Sequence, residues 1–202
     1  MLLTRRLTSN IYLEREEEEL LLQFYEKGEE IPIFEPGVWQ VYKGVVQLSR
    51  ISHEGKEVIL GWGTSNTAFG SWLNDPPNYR AVALTDIYVK WYEPKDINKS
   101  PSLARSLLAQ FSDRLIKSEQ LLAIAAVRRI EDRLWQLLLM LRKVMGQNVT
   151  DGTRIQVRFT HQQLAEIIFT TRVTVTRILG DFQNRGWINI DSDRHIIINS
   201  DR

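Results

Sequence analysis

Residues 161–180 constrain what this chain can fold into more than any other stretch. Leu164, Ala165 and Ile168 fall at i, i+1 and i+4, the apolar stripe of a short helix, and Val175, Ile178 and Leu179 form a second stripe after a break. The break holds Thr170 and Thr171, whose hydroxyls can cap a second helix. Two short helices joined this closely must cross steeply, and Ala165 is small enough to sit where they touch. The pattern predicts a helix-turn-helix. Its second helix turns Arg172, Val173, Thr174, Thr176 and Arg177 away from the apolar stripe, with no acidic residue between 172 and 180. Arginine, threonine and valine on one exposed face suit base edges and phosphates. The plainer alternative is a helical hairpin inside an all-α core.

The residues on either side extend this reading. Asn184-Arg185-Gly186 ends the second helix, and 187–190 with 195–198, joined through 191–194, predict a hairpin. A hairpin directly behind a helix-turn-helix is a wing. Upstream, 130–145 predicts a helix with Leu134, Leu137, Leu138 and Leu141 inside, followed by a loop at 147–152 and a strand at 155–159. Further upstream, Ala104, Leu108, Phe111, Leu115, Ser118, Leu122 and Ala125 repeat at spacings of four and three, the heptad seam of a two-stranded coiled coil. A second stripe, Leu103, Leu107, Leu121 and Ile124, suits packing on the preceding domain. The seam predicts a homodimer, with helix packing inside one subunit as the alternative.

Between 29 and 91 the pattern changes to short apolar runs at 38–42, 45–51, 58–62, 80–84 and 87–91, broken by turn residues and by no helical stretch. That is the signature of an antiparallel roll. Before it, Glu14 and the run Glu16 to Glu19 lead into apolar 20–25, predicting one helix that Gly28 stops. Its acids read as a solvated helix start, or as a contact surface for RNA polymerase or another partner. The expected organisation is α+β: a roll with an N-terminal helix over 1–100, a dimerisation helix and hinge over 101–127, and a winged helix-turn-helix over 128–202.

Charge follows the same division. Residues 1–97 carry 10 Lys and Arg against 15 Asp and Glu, whereas 98–202 carry 16 against 10. A basic half joined to an acidic half fits a nucleic-acid binder with a separate sensing part. The chain has no cysteine, which removes disulfides and thiolate-held metal clusters. No apolar run approaches the ~20 residues that span a bilayer, and no secretory signal opens the sequence, so a cytoplasmic location is expected. His53, His161 and His195 fall in a turn, at a helix start and in the wing, and neither a phosphate loop nor a nucleophile elbow is present. No catalytic residue and no metal site is therefore expected. The competing classes are a β-roll enzyme and a ligand-binding or protein-interaction module.

A roll, a long helix and a winged helix in this order resemble the Crp/Fnr family of bacterial transcription regulators. The resemblance runs from about Glu29 to the end. It is strongest at Leu164-Ala165-Glu166, at 171–177 and at Leu179-Gly180-Asp181, where the sequence is similar to the global nitrogen regulators of cyanobacteria, members that respond to 2-oxoglutarate. Lys43 to Leu48 and Phe69-Gly70 match the family's roll. The resemblance implies double-stranded DNA as partner, a palindrome with GTA and TAC half-sites, and a cyclic-nucleotide-binding-like roll. On the helix, Arg172 and Arg177 would contact bases, Val173 a thymine methyl, and Thr160, Thr170, Thr171 and Thr174 phosphates, with Thr176 on the same face. Phe169 stands where the family usually has glycine.

The effector end departs further. Ser71 follows Gly70 in place of the carboxylate that holds a cyclic nucleotide's ribose, and Arg80 is three residues away from the place of the phosphate-binding arginine. Cyclic AMP is therefore disfavoured. For 2-oxoglutarate, Phe69, Gly70, Ser71, Trp72, Arg114 and Glu119 match the nitrogen regulators' pocket positions, although an ion pair explains Arg114 and Glu119 equally well. The expectation is ordered: another ligand or none, then 2-oxoglutarate, then cyclic AMP.

Overall fold

The computed structural model describes residues 10–13, 20–33, 36–71 and 79–200. By their contacts the residues divide into two units, 1–116 and 117–202. The first contains β1 (Asn10–Leu13), β2 (Leu20–Tyr25), β3 (Gly37–Lys43), β4 (Val46–Ile51), β5 (Glu57–Gly63), β6 (Ala68–Ser71), β7 (Tyr79–Ala83) and β8 (Ile87–Tyr92). They pair antiparallel in two sheets, ordered β1-β2-β8-β3-β6 and β5-β4-β7. This is the roll expected from the strand pattern. Its core takes Trp39, Val41, Phe69 and Val89 from the larger sheet and Leu48 and Ala81 from the smaller.

Side chains alternate along a strand, so the neighbours of Trp39 and Phe69 face the other way. There Val38 and Ala68 meet Ile97 of α1 (Pro94–Lys99) and Leu107 of α2 (Pro101–Ala125), with Leu103, Ala104 and Phe111 packed around them. The sheet thus claims Ala104 and Phe111 from the predicted seam. Left outward are Leu108, Leu115 and Leu122, at 63%, 59% and 73% exposure. They are spaced one heptad apart, so they share one helix face.

Two expectations need correction. The predicted helix at 20–25 is the strand β2, paired with β8 through Gln23↔Val89 and Tyr25↔Ile87. An apolar run of this length fits either state, and the open edge of β8 decides it by satisfying the backbone. The acidic residues 14–19 lie outside the described residues. The strand predicted at 155–159 instead ends at Ile155, and a hairpin precedes it: β9 (Gly146–Val149) and β10 (Gly152–Ile155). A Cβ on Gly152 would lie 2.1 Å from the Ile198 carbonyl, so glycine lets the backbones meet and sets the pairing earlier. Val157 and Phe159 are still buried, and their alternation mimicked a strand.

The second unit continues with α3 (Ile130–Met145), α4 (His161–Ile167), α5 (Arg172–Asn184), β11 (Ile188–Ile190) and β12 (Ile196–Asn199). Its sheet is antiparallel, ordered β11-β12-β10-β9. The predicted helix-turn-helix and wing are both present, with Leu164, Ala165, Val175, Ile178 and Leu179 all buried. Arg133 of α3 ties the unit together, donating from Nε and Nη2 to the Val127 carbonyl (3.0 and 2.7 Å) and from Nη1 to that of Ile168 (2.6 Å). The end of the segment after α2 and the turn between α4 and α5 are therefore held by one guanidinium. No helix among the described residues is long and apolar enough to cross a membrane.

Candidate nucleic-acid interface

Each of the two crossing helices opens on a threonine. Thr160 caps α4, accepting from the Gln163 amide (3.1 Å), while Gln163 Oε1 accepts from the Thr160 amide (2.8 Å). This reciprocal box satisfies two otherwise orphaned groups at the helix start. Thr171 caps α5 by accepting from the Thr174 amide (3.2 Å), and its hydroxyl lies 2.9 Å from that of Thr174. Thr176 donates to the Arg172 carbonyl (2.9 Å), so its oxygen is left to accept from His161 Nδ1 (2.7 Å). That bond joins the start of α4 to the middle of α5. The hydroxyls of Thr160, Thr171 and Thr176 therefore already serve the fold, and Thr170 donates its amide to the Ala165 carbonyl.

The outer face of α5 carries four of the five residues read as outward, Thr174 being half-buried beside Thr171. Arg172, Val173, Thr176 and Arg177 are exposed, Val173 at 78%. Arg177 pairs with Asp181 one turn on (3.1 Å). An exposed i,i+4 pair is worth only about 0.3–0.5 kcal/mol, so the guanidinium can exchange it for a base or phosphate. Arg172 has no acidic partner among the described residues.

Beside Arg172 opens a groove of about 690 Å³ lined by Arg158, Thr160, His161, Gln162, Arg194 and the apolar Ile190 and Ile196. Arg158 and Arg194, like Arg172, make no ion pair among the described residues. Local pairing explains why cations stay free there. The wing carboxylates Asp191 and Asp193 are both taken by Arg154, at 2.6 and 3.4 Å. Asp191 also accepts the His195 amide (2.8 Å), and that bond, then Arg154, holds its carboxyl below the ordinary range. With the acids so engaged, the groove presents unbalanced positive charge. Arg158, His161, Gln162 and Arg194 were not singled out from sequence as contact residues. They come from two separate segments, 158–162 and the wing residue Arg194, and only folding brings these together.

Several of the predicted effector residues have local roles in the fold. Phe69 is fully buried in the roll core. Gly70 has φ +109, and a Cβ there would lie 2.5 Å from the Gly37 carbonyl, so the backbone alone accounts for glycine. Trp72 and the side chain of Ser71 lie outside the described residues. Arg80 is engaged by Glu30 through two bonds, 3.1 and 2.9 Å. Arg114 lies over the Phe111 ring, 5.0 Å from its centroid, with its Nη1 buried and without a hydrogen-bond partner among the described residues. Glu119 is exposed and five residues further on, about 140° around the helix. Among the described residues no three His, Cys, Asp or Glu gather as a metal site would require.

Comparisons with known proteins fall on this geometry. The Crp-like helix-turn-helix domain family matches residues 132–202. The global nitrogen regulator of Synechococcus elongatus is 33% identical over 194 residues, covering 89% of this chain and 86% of that protein. A CRP-like cAMP-activated global transcriptional regulator of Mycobacterium tuberculosis is 25% identical, covering 83% of this chain and 79% of the relative. In fold, a transcriptional regulator of the CRP/FNR family from Thermus thermophilus superposes with a TM-score of 0.71, at 22% identity, over 88% of this chain and 92% of that one.

The wing yields one pH prediction. Burial, helped by Arg154, pushes the His195 imidazole below its ordinary value of 6.5, against the opposite pull of Asp191 and Asp193. The neutral ring's contribution is complete above 6.5 and is lost as pH falls from there through the depressed value. The thermal midpoint should fall between pH 7 and pH 5, and His195→Gln should flatten that decline. Asp191 acts lower, below its ordinary 3.8, so a decline confined to that range would refute the role of His195.

Proposed function

Because the chain belongs to the Crp/Fnr family of DNA-binding transcription regulators, we propose that it acts as a cytoplasmic homodimer on a two-fold symmetric DNA site. Its half-sites are of the GTA and TAC type. The observation that carries this reading is the groove of unpaired arginines beside the start of α5, which is shaped for a phosphate strand next to a base-reading helix. Arg172 and Arg177 read guanine edges, Val173 lies against a thymine methyl, and Arg158, Arg194 and Gln162 hold the backbone. Thr160, Thr170, Thr171 and Thr174 stand along the same strand, contributing mainly by fixing helix starts.

The dimer reading is supported by Leu108, Leu115 and Leu122, three leucines on one face with their side chains outward. Pairing them with a second copy removes apolar area from water at ~25 cal/mol per Å². It also sets two recognition helices for successive major grooves, about 34 Å apart. The domain roles follow: a roll over 1–100 that senses, a dimer helix and hinge over 101–127, and a DNA-binding part over 128–202. A small molecule such as 2-oxoglutarate shifts the balance only by binding one hinge state more tightly than the other. Cyclic AMP fits less well, since Arg80 is already engaged by Glu30.

Selection of bound sequences from random duplex DNA, with and without 2-oxoglutarate, tests the reading directly. An inverted repeat of GTA and TAC is expected, and the absence of any enriched sequence would refute it. On the selected site, Arg172→Ala should weaken binding by about 1–3 kcal/mol with the dimer intact. Leu115→Glu should yield monomers by light scattering and lose most affinity for the full palindrome. A variant that stays dimeric would remove the leucine face from the interface.

A further inference from the structure

Phe169 sits in the turn between α4 and α5 with φ +53, a left-handed conformation that disfavours side chains with a Cβ. The turn cannot relax out of it. The Phe169 amide donates to the Glu166 carbonyl (3.3 Å), the Thr170 amide to that of Ala165 (2.9 Å), and Arg133 holds the Ile168 carbonyl. Nor does the fold recover the penalty by burying the ring, which is 67% exposed. Glycine or asparagine would fit this backbone with less strain. Strain held in place by its surroundings, with no intramolecular gain, points to a role outside the chain.

The position of the turn says what that role is. In a helix-turn-helix the first helix crosses the DNA backbone and the second enters the major groove by its N-terminus, so the turn between them lies along the strand. Phe169 is three residues before Arg172 and directly before Thr170 and the capping Thr171; the acid nearest it in sequence, Glu166, is one turn back on α4, where its carboxylate accepts from Gln162 (2.8 Å). We propose that the Phe169 ring packs against a deoxyribose of the bound strand, beside the phosphate that the start of α5 receives. The contact rests on the DNA-facing orientation of α5 given above. It is apolar and independent of base identity, adding affinity without releasing counterions. Covering roughly 50 Å² of the ring is worth about a tenfold gain in affinity.

The test uses two variants of the full chain, titrated by fluorescence anisotropy against the selected duplex at several salt concentrations. Phe169→Ala keeps the Cβ and removes the ring, whereas Phe169→Asn also relieves the backbone. Both should bind the palindrome about a hundredfold more weakly, roughly tenfold for each of the two rings, with the salt slope of wild type, because no phosphate contact is lost. Phe169→Asn should also melt about 2–4 °C higher than wild type. Wild-type affinity in either variant would overturn the contact while leaving the regulator reading intact, as would a changed salt slope. Wild-type DNA affinity with lost transcriptional output would assign the ring to a protein partner instead. A wild-type chain that retained no duplex would overturn both readings.

Discussion

Phe182 of α5 is held between Trp135 of α3 and Trp187 before the wing, with ring centroids 5.4 and 5.2 Å away, and those two tryptophans are 5.0 Å from each other. Aromatic clusters of this kind add about 0.5–1.5 kcal/mol per pair beyond area burial. Their consequence here is positional. One cluster fastens the inner face of the recognition helix to the helix behind it and to the hairpin beside it. Arg133 extends the same fastening to the turn, and the His161–Thr176 bond to the start of α4. With so much of α5 committed on its inner side, its outer face carries Arg172, which meets no acid among the described residues, and Arg177, whose exposed pair with Asp181 is easily exchanged.

The same division of labour was largely legible in the sequence where side chains obey a helical period. Leu164, Ala165, Val175, Ile178 and Leu179 announced both helices, because a 3.6-residue repeat of apolar residues has few other readings. The helix at Ile130–Met145 was legible for that reason too. Short apolar runs were not. Leu20–Tyr25 reads equally as helix or strand until the free edge of β8 is known, and that edge is 62 or more positions away in sequence. Val157 and Phe159 alternate like a strand and are buried like one, yet the pairing partner of β12 is set earlier, at Gly152.

For the candidate site, the limit was convergence. Every residue read as a base contact lies on one helix, within the reach of local spacing. Arg158 and Arg194 line one groove only because the wing folds back beside α4, and no local pattern marks either. The long helix shows the reverse case. Its heptad spacing is real, but the sheet beneath takes Ala104 and Phe111 for itself, so the outward ladder is narrower than the repeat suggests. In the roll, Gly70 reads in sequence as part of a ligand segment, and its left-handed φ and the nearby Gly37 carbonyl give a backbone reason for glycine that the sequence does not show.

Affinity that depends on a groove of free arginines must respond to salt. The most direct measurement is therefore the slope of log K against log salt for the selected duplex, in wild type and in Arg158→Ala and Arg194→Ala. Each substitution should reduce the slope by about 1 per monomer while the preferred sequence is kept. Slopes unchanged in both variants would contradict the account, because the cationic groove would then not be where the DNA strand lies.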